Sequence, residues 1–233
     1  MNMKGVGMRK LLALAVLAAA TVSGYSQQRE LTVEELFLRD IEFQVLKEQA
    51  FSHDRESKTT VLSELEGMID SGEVGLDDVQ IQFVLEYLSL EGTAIRILEG
   101  RTVINNFPEV RRQATQLLGE IGSDRSVPTI IAILLRDEES MVRAEAAFSL
   151  GQIGSNEQAV LDALVVAVQR LDPVTPDNTF AFASIVAFEK IAQANNGISD
   201  PDALRALVQL AQGNYFRKVR NKALQVLTDM RDY

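Results

Sequence analysis

Cysteine and tryptophan are absent from the 233-residue chain, and histidine occurs once, at His53. Without cysteine there are no disulfides, no thiolate nucleophile and no thiolate-bound metal. The single histidine sits in the polar stretch "SHDRESK", where it reads as a solvated loop residue rather than a general base. Aromatic residues make up only 6% of the chain against 46% apolar, which suits close-packed helices of Ala, Leu, Ile and Val. No stretch alternates convincingly as a strand does, so no glycine-rich phosphate loop follows a strand. The acidic runs Asp77-Asp78 and Asp137-Glu138-Glu139 lack the alternating ligands and bend-making glycine of a calcium loop. They read as acids placed at helix starts, where the helix dipole favours them. The residues thus nominate no catalytic, cofactor-binding or metal site, and the expectation is a protein that is not an enzyme and carries no cofactor.

Negative charge is absent before Glu30. Lys4, Arg9 and Lys10 precede the apolar run Leu11 to Ala20, and small residues follow to Ser26. This is the pattern of a secretory signal over 1–26, cut after Ser26. Ten apolar residues reach only about 15 Å as a helix against a hydrocarbon core of about 30 Å, so no stable transmembrane span is expected after cleavage. The segment holds three of the 23 basic residues and none of the 33 acidic ones, leaving 20 minus 33, or −13. Such a balance repels phosphate backbones and argues against a nucleic-acid partner. An exported protein, periplasmic or extracellular, is the expectation.

From Glu30 onward apolar residues recur at helical spacing. Thr32 and Glu35 read as a capping box for a helix to about Phe51, with apolar Leu36, Phe37, Ile41, Val45 and Leu46. His53 to Lys58 reads as a polar break, and a second helix is expected over roughly Thr59 to Ser71. Residues 110–122, "VRRQATQLLGEIG", then return 32 positions later as "VRAEAAFSLGQIG". Taking Val110 and Val142 as starts, apolar or small residues stand at steps of 0, 4, 8 and 11, within about 80° of one another on a helix. Gly122 and Gly154 close each copy. Fainter copies start at Val79 (Phe83, Tyr87, Leu90), Phe180 (Ser184, Phe188, Ile191) and Val219 (Ala223, Leu227, Met230). Partner helices are expected from Ser126, from Glu157 after a Ser155–Gln158 capping box, and from Asp200. A period of 31 to 39 residues holding two helices describes an α-solenoid.

The stretch "EVRRQATQLLGEIGSDRSVPTIIAILLRDEESMVRAEAAFSLGQIG" resembles HEAT repeats of the short bacterial type also seen in phycobilin-lyase relatives. The resemblance implies an all-α, right-handed α-solenoid of about five HEAT-like helical pairs over 58–233. Residues 27–57 supply an N-terminal capping helix and a polar break. The unit at Phe180 departs from the pattern, with Ala181 in place of Arg and Glu189 in place of Gly. In such repeats the arginine after each start ties neighbouring turns together, which assigns Arg111, Arg143 and Arg220 a structural role between repeats.

Positions two and six beyond each start lie away from the buried stripe. They carry Arg112 and Gln116, Ala144 and Phe148, Phe182 and Val186, then Asn221 and Gln225. Phe148, Phe182 and Val186 are expected to form an exposed apolar patch flanked by Arg112 and Glu145, receiving a partner protein or peptide. The competing reading has the loop after Pro173 fold over them, or has them packed inside. Arg217, Lys218, Arg220 and Lys222 form a basic cluster suited to an acidic partner or anionic lipid, or to an ordinary solvated helix end. The function expected is an exported, non-catalytic binding or assembly scaffold. The alternatives are a tetrapyrrole-lyase-like enzyme or its accessory subunit, which the resemblance suggests, and a structural envelope component.

Overall fold

Helical spacing of apolar residues resolves into ten α-helices among residues 32–230, the part of the chain that the computed structural model describes. The expected signal segment 1–26 lies outside the described residues, as do the side chains of Glu35 and Leu36. The helices are α1 Val33–Ala50, α2 Arg55–Asp70, α3 Val79–Leu90, α4 Pro108–Ile121, α5 Val127–Arg136, α6 Ser140–Ile153, α7 Gln158–Gln169, α8 Asn178–Asn195, α9 Pro201–Gln212 and α10 Arg217–Asp229. No described helix is long and apolar enough to cross a membrane. The chain divides after Phe43, inside α1, into two compact units.

Within the second unit the helices form two layers, as an all-α solenoid does. Helices α2, α4, α6, α8 and α10 pack side by side in one layer, and α3, α5, α7 and α9 in the other. Four of the expected repeat starts fall two residues into α4, α6, α8 and α10, and the start residues Val110, Val142, Phe180 and Val219 are all buried. The start at Val79 is corrected. Val79 and Phe83 are exposed, the buried stripe of α3 runs through Ile81, Val84, Leu85 and Leu88, and the helix belongs to the partner layer. Both layers repeat apolar residues at the same helical period, so spacing alone does not separate them.

Two other boundaries shift. Asp54 accepts hydrogen bonds from the backbone N–H and hydroxyl of Ser57, so α2 begins at Arg55 and runs across the boundary expected between 57 and 58. Helix α7 is entered from Glu157 without the expected Ser155–Gln158 box. The Gln158 amide instead donates to Asp162 and to Asp200, 2.8 Å each. Asp200 caps α9 through the N–H groups of Asp202 and Ala203, as expected.

The repeated spacing of the glycines separates two tasks. Gly122 and Gly154 take φ of 74° and 72° and end α4 and α6 in the left-handed conformation. Gly119 and Gly151 lie inside those helices at points of close approach. A Cβ on Gly119 would stand 2.6 Å from Ser149 Cβ, and one on Gly151 would stand 2.6 Å from Ala187 Cα. The unit at Phe180 replaces this contact with an ion pair, since Glu189 meets Lys222 of α10 at 2.6 Å.

Between α3 and α4 the chain makes a small antiparallel hairpin, Leu98–Glu99 with Thr102–Val103, that the sequence did not signal. It is anchored by buried charge. Arg111 is 1% exposed and makes a forked pair with Asp137, 2.7 and 3.2 Å, while its remaining nitrogen donates to the Glu91 carbonyl and to Asn106 Oδ1. Beside it Lys58 and Glu91 form a second buried pair at 2.9 Å, and Lys58 also donates to the Ala50 carbonyl. Lys58 therefore belongs to the interior, not to a polar break. Asn105 ties this pair to the hairpin, donating to Glu91 and to the Ile95 carbonyl and accepting from the N–H of Ile97.

Removing one member of such a pair strands a buried charge, at a cost of about 3–5 kcal/mol. Arg111→Ala and Asp137→Ala should each lower Tm by roughly 10 °C, and the double variant should lose much less than the sum. Thermal unfolding followed by circular dichroism checks this, and additive losses would contradict it. Gly151→Ala, which places a methyl against the α8 backbone, should cost about 1–3 kcal/mol in the same assay.

Candidate functional site

The side of the α4–α6–α8–α10 layer that carries Arg112, Phe148 and Phe182 is built from side chains that bridge successive helices. Arg112 of α4 meets Glu145 of α6 at 3.5 Å. Phe148 of α6 is covered by Lys190 of α8, whose ammonium stands 5.3 Å from the ring centre. Phe182 of α8 is covered in the same way by Lys218 of α10, at 5.8 Å. Lys222 completes the row on Glu189. Gln116 donates to Glu120 on its own helix at 2.9 Å.

The expected bare apolar patch is thus corrected. Phe148, Phe182 and Val186 are half-buried, and lysines from the following helix lie over the two rings. An ammonium is attracted to the negative face of an aromatic ring, while its aliphatic stem covers apolar surface. The loop after Pro173 does not perform the covering envisaged for it. Asp172 closes that loop on itself, accepting from the Val174 N–H and the Thr175 hydroxyl, and Val174 is exposed. Lys190 was the residue missed, and Lys218 and Lys222 were read only as a basic cluster, without their partners Phe182 and Glu189. The signal that could have found them is the register itself, because each lies in the unit after its partner.

The basic end of this face opens into a cleft of about 550 Å³ lined by Phe182, Arg217, Lys218, Asn221, Lys222 and Gln225. Exposed amides, cations and one aromatic wall converge there. The composition suits carboxylate groups and an apolar or planar group beside them. A second cleft of about 610 Å³, lined by Leu204, Arg205, Val208, Gln209, Gln212 and Gly213, lies along α9. Among the described residues no three His, Cys, Asp or Glu side chains are grouped as metal ligands.

The three arginines assigned between repeats have different surroundings. Arg111 holds the clamp described above. Arg143 donates to the Leu134 carbonyl at 3.3 Å and stacks its guanidinium over Phe180, 4.7 Å from the ring centre. Arg220 is exposed and tied to nothing among the described residues, which corrects its expected role. No further unit follows α10 in the described chain to supply a carboxylate. Asp137, read as a helix cap, is the partner of Arg111 and also accepts from the Glu139 N–H.

Burial raises the Glu145 carboxyl above its ordinary range, and Arg112 opposes that shift. A raised carboxyl makes ionisation costly in the folded chain. Its contribution to stability therefore falls as pH rises from the ordinary glutamate range through the folded pKa. An NMR titration should place Glu145 above an unperturbed glutamate and higher still in Arg112→Ala. A value at or below the ordinary range would contradict the geometry.

The family described as HEAT repeats matches residues 101–175. A search of curated proteins found no significant match. Among solved structures, the chain is similar to one from the complex of CpcE and CpcF of phycocyanin lyase from Nostoc sp. PCC7120. The two share 17% identity at a TM-score of 0.58, over 82% of this chain. The match spans 65% of the Nostoc chain, and at this identity it speaks to the fold. Residues 101–175 are thus HEAT repeats by sequence, and they sit within the two packed layers of an all-α solenoid.

Proposed function

We propose that the chain is an exported, non-catalytic scaffold whose α4–α6–α8–α10 face binds a partner protein or peptide. The observation that carries this reading is the row of bridging side chains along that face. It begins with Arg112, Glu145, Gln116 and Glu120 and ends with Lys190, Lys218, Lys222 and Arg217 around Phe148 and Phe182. Pairs of this kind at the surface stabilise the fold by only about 0.5–1 kcal/mol each, so an incoming acidic or aromatic group displaces them at small cost. The backbone beneath stays fixed by the layer packing, which keeps the face preorganised. Export rests on Lys4, Arg9 and Lys10 ahead of the Leu11–Ala20 run and the small residues to Ser26.

A second reading draws on the likeness to the phycocyanin lyase complex. In it the chain is an accessory subunit of a tetrapyrrole lyase, and the cleft beside Phe182 holds a planar ring whose acid groups meet Arg217, Lys218 and Lys222.

Crosslinking in intact native cells, followed by pull-down and mass spectrometry, should return one reproducible partner at comparable abundance. Its crosslinks should map to the α6–α8–α10 face. Phe148→Ser with Phe182→Ser should cut capture at least tenfold, about 1.4 kcal/mol, with circular dichroism unchanged. Undiminished capture by the folded double variant would remove this face from the account. A new visible absorbance band on adding a free tetrapyrrole to the purified chain would favour the second reading.

A further inference from the structure

One position of the repeat register has a different fate in the last unit. Five residues beyond the four starts stand Thr115, Ala147, Ile185 and Leu224. The first three are 0% exposed, whereas Leu224 is 53% exposed. Each repeat is closed by the next one. Helix α6 lies on this face of α4, where the Ser149 hydroxyl donates to the Thr115 carbonyl at 3.0 Å. Helix α8 lies on α6 with Ala187 against Gly151, and α10 lies on α8 through Lys222 and Glu189. Among the described residues nothing lies on the equivalent face of α10. That face also carries Arg217 and Arg220, seven and four residues before Leu224 and therefore on the same side of the helix. Arg220 occupies the register position of Arg111, the residue that receives Asp137 from the turn before the next helix of its layer.

We propose that this open face of α10 docks helix α1 of a second copy of the chain, so that copies join head to tail. Helix α1 presents exposed Val33, Phe37, Leu38, Ile41 and Val45, with exposed Glu34, Asp40 and Glu42 among them. These apolar side chains are what Leu224 lacks, and the carboxylates are what Arg217 and Arg220 lack. The charges of the two elements are opposite. Helix α1 has five acidic and two basic residues, a net of −3, and α10 has four basic and one acidic, a net of +3. Like charge disfavours α1 against α1 and α10 against α10, so the join is heterologous rather than two-fold symmetric. Lys218, Lys222 and Gln225 lie on a different side of α10, Arg217 is the one residue this face shares with the partner-binding reading above, and Leu224 and Arg220 belong to this face alone.

Sedimentation velocity on the full chain from about 1 µM to about 100 µM is the test. The mean mass should rise above the 25.7 kDa monomer with concentration and fall back as salt is added. Leu224→Glu and Phe37→Glu each remove one end of the join at an exposed position, so each variant alone should stay monomeric with an unchanged circular dichroism spectrum. Mixed one to one, they retain one good end apiece and should form a dimer that grows no further. A wild-type chain that is monomeric throughout, whether or not another protein takes this face, would overturn the proposal. So would self-association that survives Leu224→Glu, or a mixture that stays monomeric.

Discussion

A guanidinium taken out of water needs partners for its N–H groups, and Arg111 makes four hydrogen bonds to three different segments of chain. Asp137 comes from the turn after α5, Asn106 from the end of the hairpin segment, and the Glu91 carbonyl from the end of α3. Those turns are held in one place at once, which sets how α4 faces α6. Lys58 and Glu91 extend the same logic back to α2. The interior of this acidic chain is therefore pinned by two buried ion pairs at its N-terminal repeats, and by small-residue contacts at Gly119 and Gly151 further along.

Once the spacing of the layer is set, its outer side chains fall into reach of the neighbouring helix rather than of solvent alone. Glu145 reaches back to Arg112, Lys190 covers Phe148, Lys218 covers Phe182, and Lys222 meets Glu189. A stack of repeats thus makes one continuous surface from residues that are distant in sequence, as quasi-one-dimensional folds do. The same geometry leaves an asymmetry at the end of the stack. Arg220 sits where Arg111 finds a carboxylate and Leu224 where earlier units find a packed neighbour, and here both are exposed.

The repeat layer was legible because Val110, Ala114 and Leu118 return as Val142, Ala146 and Leu150, and all six are buried. The register at Val79 misled because helices of both layers share a 3.6-residue period, and the choice between layers is made by neighbours that spacing does not encode. Lys58 carried no apolar signal, and its burial follows from Glu91, thirty-three residues away. The hairpin strands, two residues each, are too short to display alternation. At the surface, Phe148 and Phe182 were legible as positions away from the buried stripe, but their covering lysines belong to the next unit and are invisible to a reading of one unit at a time.

The account stands on Arg111 as the shared anchor of the α3 end, the hairpin and the turn before α6. Hydrogen–deuterium exchange of Arg111→Gln, compared with the native chain by mass spectrometry, tests this directly. Protection should fall together in residues 91–107 and 136–140, while α8 and α9 keep theirs. Loss confined to one of those two segments, or spread evenly over all the repeats, would contradict it.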